Sequence, residues 1–115
     1  MKKIVIFAFR GEPLCFVHGL LNAMDLHEKG LGGHLVIEGE TTKLLADMIS
    51  PSNFLHPFYK DAKSRGIIDG VCRACSIKMG TIEIAEKEGL NLLSDMKGHP
   101  SMGAYISKGF DVVVL

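Results

Sequence analysis

The sequence predicts an α/β protein, a three-layer α/β/α sandwich built on a mostly parallel five-stranded sheet. Three observations carry that expectation. The chain opens with an unbroken apolar run, Lys3 to Phe9, rich in Ile and Val, as a strand buried on both faces requires. Short apolar runs then alternate with segments of helical period along the whole chain, the pattern of crossover βαβ units. Gly30, Gly66, Gly89 and Gly109 follow the helical segments, where a C-cap favours a residue free to take positive φ.

Taken in order, Leu14, Val17, Leu20, Leu21 and Met24 fall at helical spacing after Pro13, a residue suited to a first helical turn. Gly30-Leu31-Gly32-Gly33 reads as a tight turn, and Leu35 to Ile37 as the second strand. Thr41 or Thr42 opens a helix through Leu44, Leu45 and Met48, which Ser50-Pro51-Ser52-Asn53 breaks. A further helix runs from Phe54 to Arg65, with Pro57 tolerated in its first turn. The third strand spans Ile67 to Arg73 and is followed by a loop, Ala74 to Gly80. Thr81 to Glu88 is helical, Leu92-Leu93 a minimal fourth strand, Pro100 to Lys108 the last helix and Asp111 to Leu115 the fifth strand. With no internal repeat, linker or low-complexity stretch, residues 1–115 read as a single domain.

Thirteen basic and thirteen acidic residues cancel, leaving no electrostatic footprint for nucleic acid and no basic block for an anionic membrane. The apolar stretch Ile4 to Phe9 is too short for a signal peptide, and Arg10 ends it without a cleavage site. No apolar run approaches the length of a membrane span. Three cysteines, an odd count without a secretory signature, point to a reducing compartment, and the expected location is the cytoplasm.

Ligands of an open parallel sheet bind outside the carboxyl ends of its strands. Those ends correspond to Arg10 to Pro13, Glu38 to Thr42, Ala74 to Gly80 and Ser94 to His99, so Cys15, Cys75 and His99 share one edge. The stretch Gly70-Val-Cys-Arg-Ala-Cys-Ser76 raises four possibilities. Cys75, on a loop beside Arg73 and Lys78, has the surroundings of a reactive thiolate. Cys72, pointing into a strand, reads first as a small core residue. Cys15, His18, Cys72 and Cys75 form a C-x2-H and C-x2-C set of zinc-ligand type. Against that set, Val17 and Leu20 already claim the inward helix face, and strand alternation separates Cys72 from Cys75. A redox dithiol requires the pair to open a helix, whereas Cys72 reads as inside a strand.

Other chemistries find little support. The loop after the first strand, Phe-Arg-Gly-Glu-Pro, has one glycine and no phosphate cradle, and no G-x-S-x-G occurs. His27, His34 and His56 have structural or surface readings, and the methionines read as filler. Glu38 and Glu40 belong to a solvated loop, with Glu38 near enough in the topology to tune a thiol.

The strand-ending pattern G-V-x-x-x-C (Gly70, Val71, Cys75), then Gly80, a helix and a closing strand, resembles the DsrE-like, or YchN-like, sulfur-relay superfamily over essentially the whole chain. The resemblance implies a cytoplasmic α/β/α sandwich that assembles into trimers or hexamers and passes sulfur as a cysteine persulfide. It assigns the carrier role to Cys75; Cys72 and Cys15 have no counterpart in the motif and enter as possible resolving thiols. Arg10, Arg73, His99 and Glu38 are the expected supporting groups. The expected function is sulfur handling, as carrier or sulfurtransferase, with a donor or acceptor protein as partner and no cofactor. The competing class is a non-catalytic oligomeric domain for a small ligand or metal, zinc in the first instance. Self-association is also suggested by Phe54, Leu55, Phe58 and Tyr59, with Met48-Ile49 upstream, which crowd more apolar surface than one helical stripe holds.

Overall fold

The computed structural model describes residues 2–115. The elements run β1 (Lys3–Ala8), α1 (Pro13–Glu28), β2 (Gly32–Ile37), a 3₁₀ turn (Gly39–Leu44), α2 (Leu45–Met48), α3 (Leu55–Ser64), β3 (Ile68–Cys72), α4 (Arg73–Lys78), α5 (Ile82–Lys87), β4 (Leu92–Leu93), α6 (Met102–Ser107) and β5 (Phe110–Val114). The five strands form one sheet in the order β4-β3-β2-β1-β5, and every neighbouring pair is parallel.

Strand alternation divides the continuous apolar runs between two cores. Ile6, Ala8, Leu35, Ile37 and Val71 face the larger one, where they meet Phe16, Leu20 and Met24 of α1, Leu45 and Met48 of α2, Leu55 and Tyr59 of α3 and Ala85 of α5. Val5, Phe7 and Val36 point the other way, against Tyr105 of α6 and Phe110 and Val112 of β5. The layers are therefore unequal, with several helices on one face and α6 on the other.

Glu12 caps α1 by accepting the backbone N–H of Cys15 at 3.0 Å. One helix offers the sheet only one stripe, here Phe16, Val17, Leu20, Ala23 and Met24, so Leu14 and Leu21 are left outward and exposed. The expected turn at Gly32-Gly33 is instead the start of β2. At Gly33, φ is +78°, and a Cβ would lie 2.3 Å from both Ala23 O and His27 N, so only glycine lets α1 lie this close to the strand.

The apolar cluster that suggested self-association is largely consumed within the chain. Leu55 and Met48 are fully buried and Tyr59 is 2% exposed, while Phe54 remains half exposed. The Tyr59 hydroxyl donates to Glu88 at 2.7 Å, which gives the second face of α3 a partner inside the fold.

The largest departure from expectation lies after β3. The strand ends at Cys72 rather than Arg73, and the supposed loop Ala74 to Gly80 is mostly helix α4. The Cys72 side chain caps that helix, its Sγ accepting the backbone N–H of Cys75 at 3.3 Å. Ser76 Oγ donates back to the Cys72 carbonyl at 2.7 Å. A six-residue helix held by such local bonds is too short to display an apolar period.

Candidate functional site

The chain diverges to opposite faces of the sheet as it leaves β3 and β4. The chain leaving β3 passes through α4 and α5, whose Ala85 joins the larger core, whereas the chain leaving β4 passes to α6 on the opposite face. Such a divergence outside the carboxyl ends is where open α/β sheets bind ligands. Cys72 is the last residue of β3 and pairs with Leu93 of β4, and His99 follows in the β4–α6 connection.

Three side chains converge there. His99 Nδ1 lies 3.2 Å from Cys72 Sγ and 3.7 Å from Cys75 Sγ. The three ligand atoms all lie within 4.8 Å of one another. The expected separation of the cysteines by strand alternation does not occur, because the chain turns into α4 immediately at Cys72. The same observation removes the objection to a dithiol: the pair does open a helix after a strand. Its order of exposure is that Cys72 is buried and Cys75 partly open.

Backbone bonds brace the cluster. Ala74 N–H donates to the Gly98 carbonyl at 2.9 Å, joining α4 to the histidine loop. Met96 and His99 exchange backbone hydrogen bonds at 2.8 and 3.0 Å around Lys97 and Gly98. Both central residues have positive φ, +51° and +92°, as a type I′ turn demands. Thr42 Oγ1 donates to the Cys75 carbonyl at 3.2 Å and to Gly39 O at 2.8 Å. The sequence offered no signal for the contacts of Thr42 with Cys75 or of Gly98 with Ala74, because those partners depend on the packing.

Cys75 and His99 open onto a cavity of about 410 Å³ that also has Phe9, Glu38, Lys78 and Met79 in its wall. Burial, followed by the hydrogen bond with Cys75, pushes the Cys72 thiol well above its ordinary pKa. Burial likewise raises the Glu38 carboxyl, with His99 pulling the other way. The cavity thus presents one accessible sulfur, an imidazole that also lies against the buried sulfur of Cys72, and a lysine.

The remaining residues expected at the site are distributed differently. Cys15, Arg10 and His18 line a separate cavity of about 300 Å³ with Val114 and Leu115, at the carboxyl ends of β1 and β5. Cys15 is thus on the expected sheet edge but not in the cavity of Cys75, and the set Cys15, His18, Cys72 and Cys75 is not assembled among the described residues. Arg73, the first residue of α4, is exposed and does not line the Cys75 cavity; Lys78 is the cation there. Glu38 does face the cysteine and histidine.

Among known proteins, the chain is 30% identical over 99 residues to the uncharacterized protein MJ0733 of Methanocaldococcus jannaschii, an alignment covering 86% of this chain and 78% of that one. Two uncharacterized proteins of Archaeoglobus fulgidus match shorter stretches. One is 47% identical over 36 residues, 31% of this chain and 97% of the relative. The other is 39% identical over 41 residues, 36% of this chain and 67% of the relative. No family model and no solved structure matches the chain.

Proposed function

This chain belongs to the family of the Methanocaldococcus jannaschii protein MJ0733, and we propose that it handles sulfane sulfur, with Cys75 as the carrying thiol. The observation that carries this reading is the pairing of an accessible Cys75 with a buried Cys72 across one imidazole, at the mouth of a cavity. The resemblance to the DsrE-like superfamily agrees with it, since the motif aligns its carrier cysteine with Cys75.

Loading is a sulfur transfer without net oxidation. His99 accepts the Cys75 thiol proton through Nδ1, and the thiolate attacks the outer sulfur of a donor persulfide. The new bond joins that sulfur to Cys75 Sγ, the donor S–S bond breaks, and the donor leaves as a thiolate that takes up a proton. Lys78 and imidazolium His99 stabilise the anionic persulfide that results. Unloading follows either of two courses. An acceptor nucleophile attacks the outer sulfur and Cys75 departs as thiolate, or the Cys72 thiolate attacks Cys75 Sγ, forming the Cys72–Cys75 disulfide and expelling hydrosulfide. In the second course the disulfide is returned to the dithiol by an external dithiol reductant. In that second course the imidazolium gives its proton to the departing sulfur, which leaves as hydrosulfide. The neutral His99 Nδ1 takes the proton of Cys72, whose buried thiol has a raised pKa and is otherwise protonated.

The test is intact-mass spectrometry after incubation with a low-molecular-weight persulfide. The expected result is a gain of one sulfur atom per chain, absent in Cys75→Ser and longer-lived in Cys72→Ser, which lacks the resolving thiol. Uptake that survives Cys75→Ser, or no uptake at all, removes the reading.

A further inference from the structure

We propose that Cys72, Cys75 and His99 also form a binding site for one thiophilic divalent cation of the Zn²⁺ type, with a fourth coordination position open to the cavity. The spacing is close to what a tetrahedral ion requires. Tetrahedral zinc with Zn–S of about 2.3 Å and Zn–N of about 2.0 Å sets S···N near 3.5 Å and S···S near 3.8 Å. Here the S···N distances are 3.2 and 3.7 Å, and the three atoms span no more than 4.8 Å. Two thiolates and an imidazole are a soft donor set that favours zinc over magnesium or calcium.

The surroundings hold the donors in place. Cys75 N–H already points at Cys72 Sγ and would stabilise that sulfur as a thiolate. The bond from Ala74 to Gly98 and the Met96–His99 turn fix the third donor against the other two, while Ser76 and Thr42 hold the carbonyls of both cysteines. Three protein donors facing a cavity is the arrangement of zinc sites that retain an exchangeable position. Glu38 and Glu40 both line the cavity, and the half-buried Glu38 is the carboxylate offered to receive a proton or a contact from whatever occupies that position. This donor set differs from the sequence-based one: His99 replaces Cys15 and His18, which line another cavity.

A cation here engages both sulfurs, so metal and sulfane sulfur exclude one another. Zinc would then protect the dithiol between transfers. The site itself does not depend on sulfur transfer, and its readout is separate.

Reduced, metal-free full chain is titrated with Co²⁺, followed by absorption of the tetrahedral thiolate complex, and with Zn²⁺ against a chromophoric chelator. One ion per chain is expected. Cys75→Ser should abolish the thiolate band, and His99→Ala should weaken Zn²⁺ more than about 100-fold, since removing even an outer-sphere partner costs roughly 10–100-fold. Cys15→Ser should bind as the wild type. Cys75 and His99 both border solvent-accessible space, so circular dichroism can verify that these two variants keep their fold. Stoichiometric binding that survives Cys75→Ser or requires Cys15, or no Zn²⁺ binding at micromolar concentration, overturns the site. A chain that binds Zn²⁺ but takes up no sulfur keeps this site and loses the sulfur-handling reading; sulfur uptake without Zn²⁺ binding does the reverse.

Discussion

The backbone N–H of Ala74 donates to the carbonyl of Gly98 at 2.9 Å, so the helix that carries Cys75 and the loop that carries His99 are fixed to each other by the main chain. Gly98 makes this bond from φ +92°, and a Cβ there would lie 3.4 Å from that of Ala74. Gly98→Ala should therefore cost about 1–2 kcal/mol, the penalty of left-handed backbone for an L-residue, and should slow sulfur loading of Cys75 by displacing His99. Denaturant unfolding and intact-mass kinetics measure the two effects. Unchanged values in both would mean that the turn does not set the histidine.

The two cysteines should differ in reactivity. Cys72 is buried with its pKa raised, and Cys75 borders the cavity. Near neutral pH, iodoacetamide should modify Cys75 at least about tenfold faster, because only the accessible thiolate reacts. Peptide mapping over a time course measures the ratio. Equal rates, or a faster Cys72, would transfer the carrier role to Cys72.

On the α6 face, His34 Nδ1 lies 2.7 Å from Asp69 Oδ1, and Tyr105 OH donates to the other carboxylate oxygen at 2.6 Å. The hydrogen bond to Asp69 raises the His34 pKa above its ordinary 6.5, against the opposing effect of partial burial. The protonated form is the one the fold favours. Its contribution is complete below the unfolded-state pKa and is lost as pH rises through the higher folded-state value. Between about pH 6 and pH 8, the unfolding free energy of the wild type should fall more steeply than that of His34→Gln. Parallel curves from urea titrations would dismiss the linkage.

Glu38 shifts stability with pH in the same direction, but through a penalty on its ionised form rather than a gain on a protonated one. Burial raises its pKa, so ionisation at neutral pH opposes folding, and its contribution to stability improves as pH falls through the raised value. Glu38→Gln should unfold at higher urea concentration than the wild type at pH 7 while loading sulfur more slowly, since the imidazolium of His99 loses a nearby negative charge. A variant that is less stable at pH 7 would show that the carboxylate has a compensating partner.

Much of the framework was legible because burial on both faces imposes a local signature. The Ile- and Val-rich runs at Lys3 to Phe9 and Asp111 to Leu115 match β1 and β5 to within a residue or so, and Leu92-Leu93 matches β4. The helical period of α1 located the helix but not its inward stripe, since Leu14 and Leu21 satisfy the same spacing as the buried residues and still face solvent. The crowding around Tyr59 was visible, but its meaning was not. A tyrosine on the second face of α3 packs into the larger core, and its hydroxyl is satisfied there by Glu88, 29 residues away.

From the sequence alone came the α/β class, the order of elements apart from α4, and the placing of Cys75, Cys15 and His99 along one sheet edge, because alternating apolar periods are encoded within short windows. Tertiary structure alone decided that Cys72 turns from strand to helix cap, that His99 rather than Cys15 meets both sulfurs, and that Lys78 rather than Arg73 or Arg10 faces them. Those outcomes rest on contacts between Cys72 or Cys75 and His99, 27 and 24 residues apart. They also rest on a six-residue helix and a positive-φ turn at Lys97-Gly98. No local period specifies such contacts; they exist once the β3–β4 pairing and the Ala74–Gly98 bond have brought the two segments together.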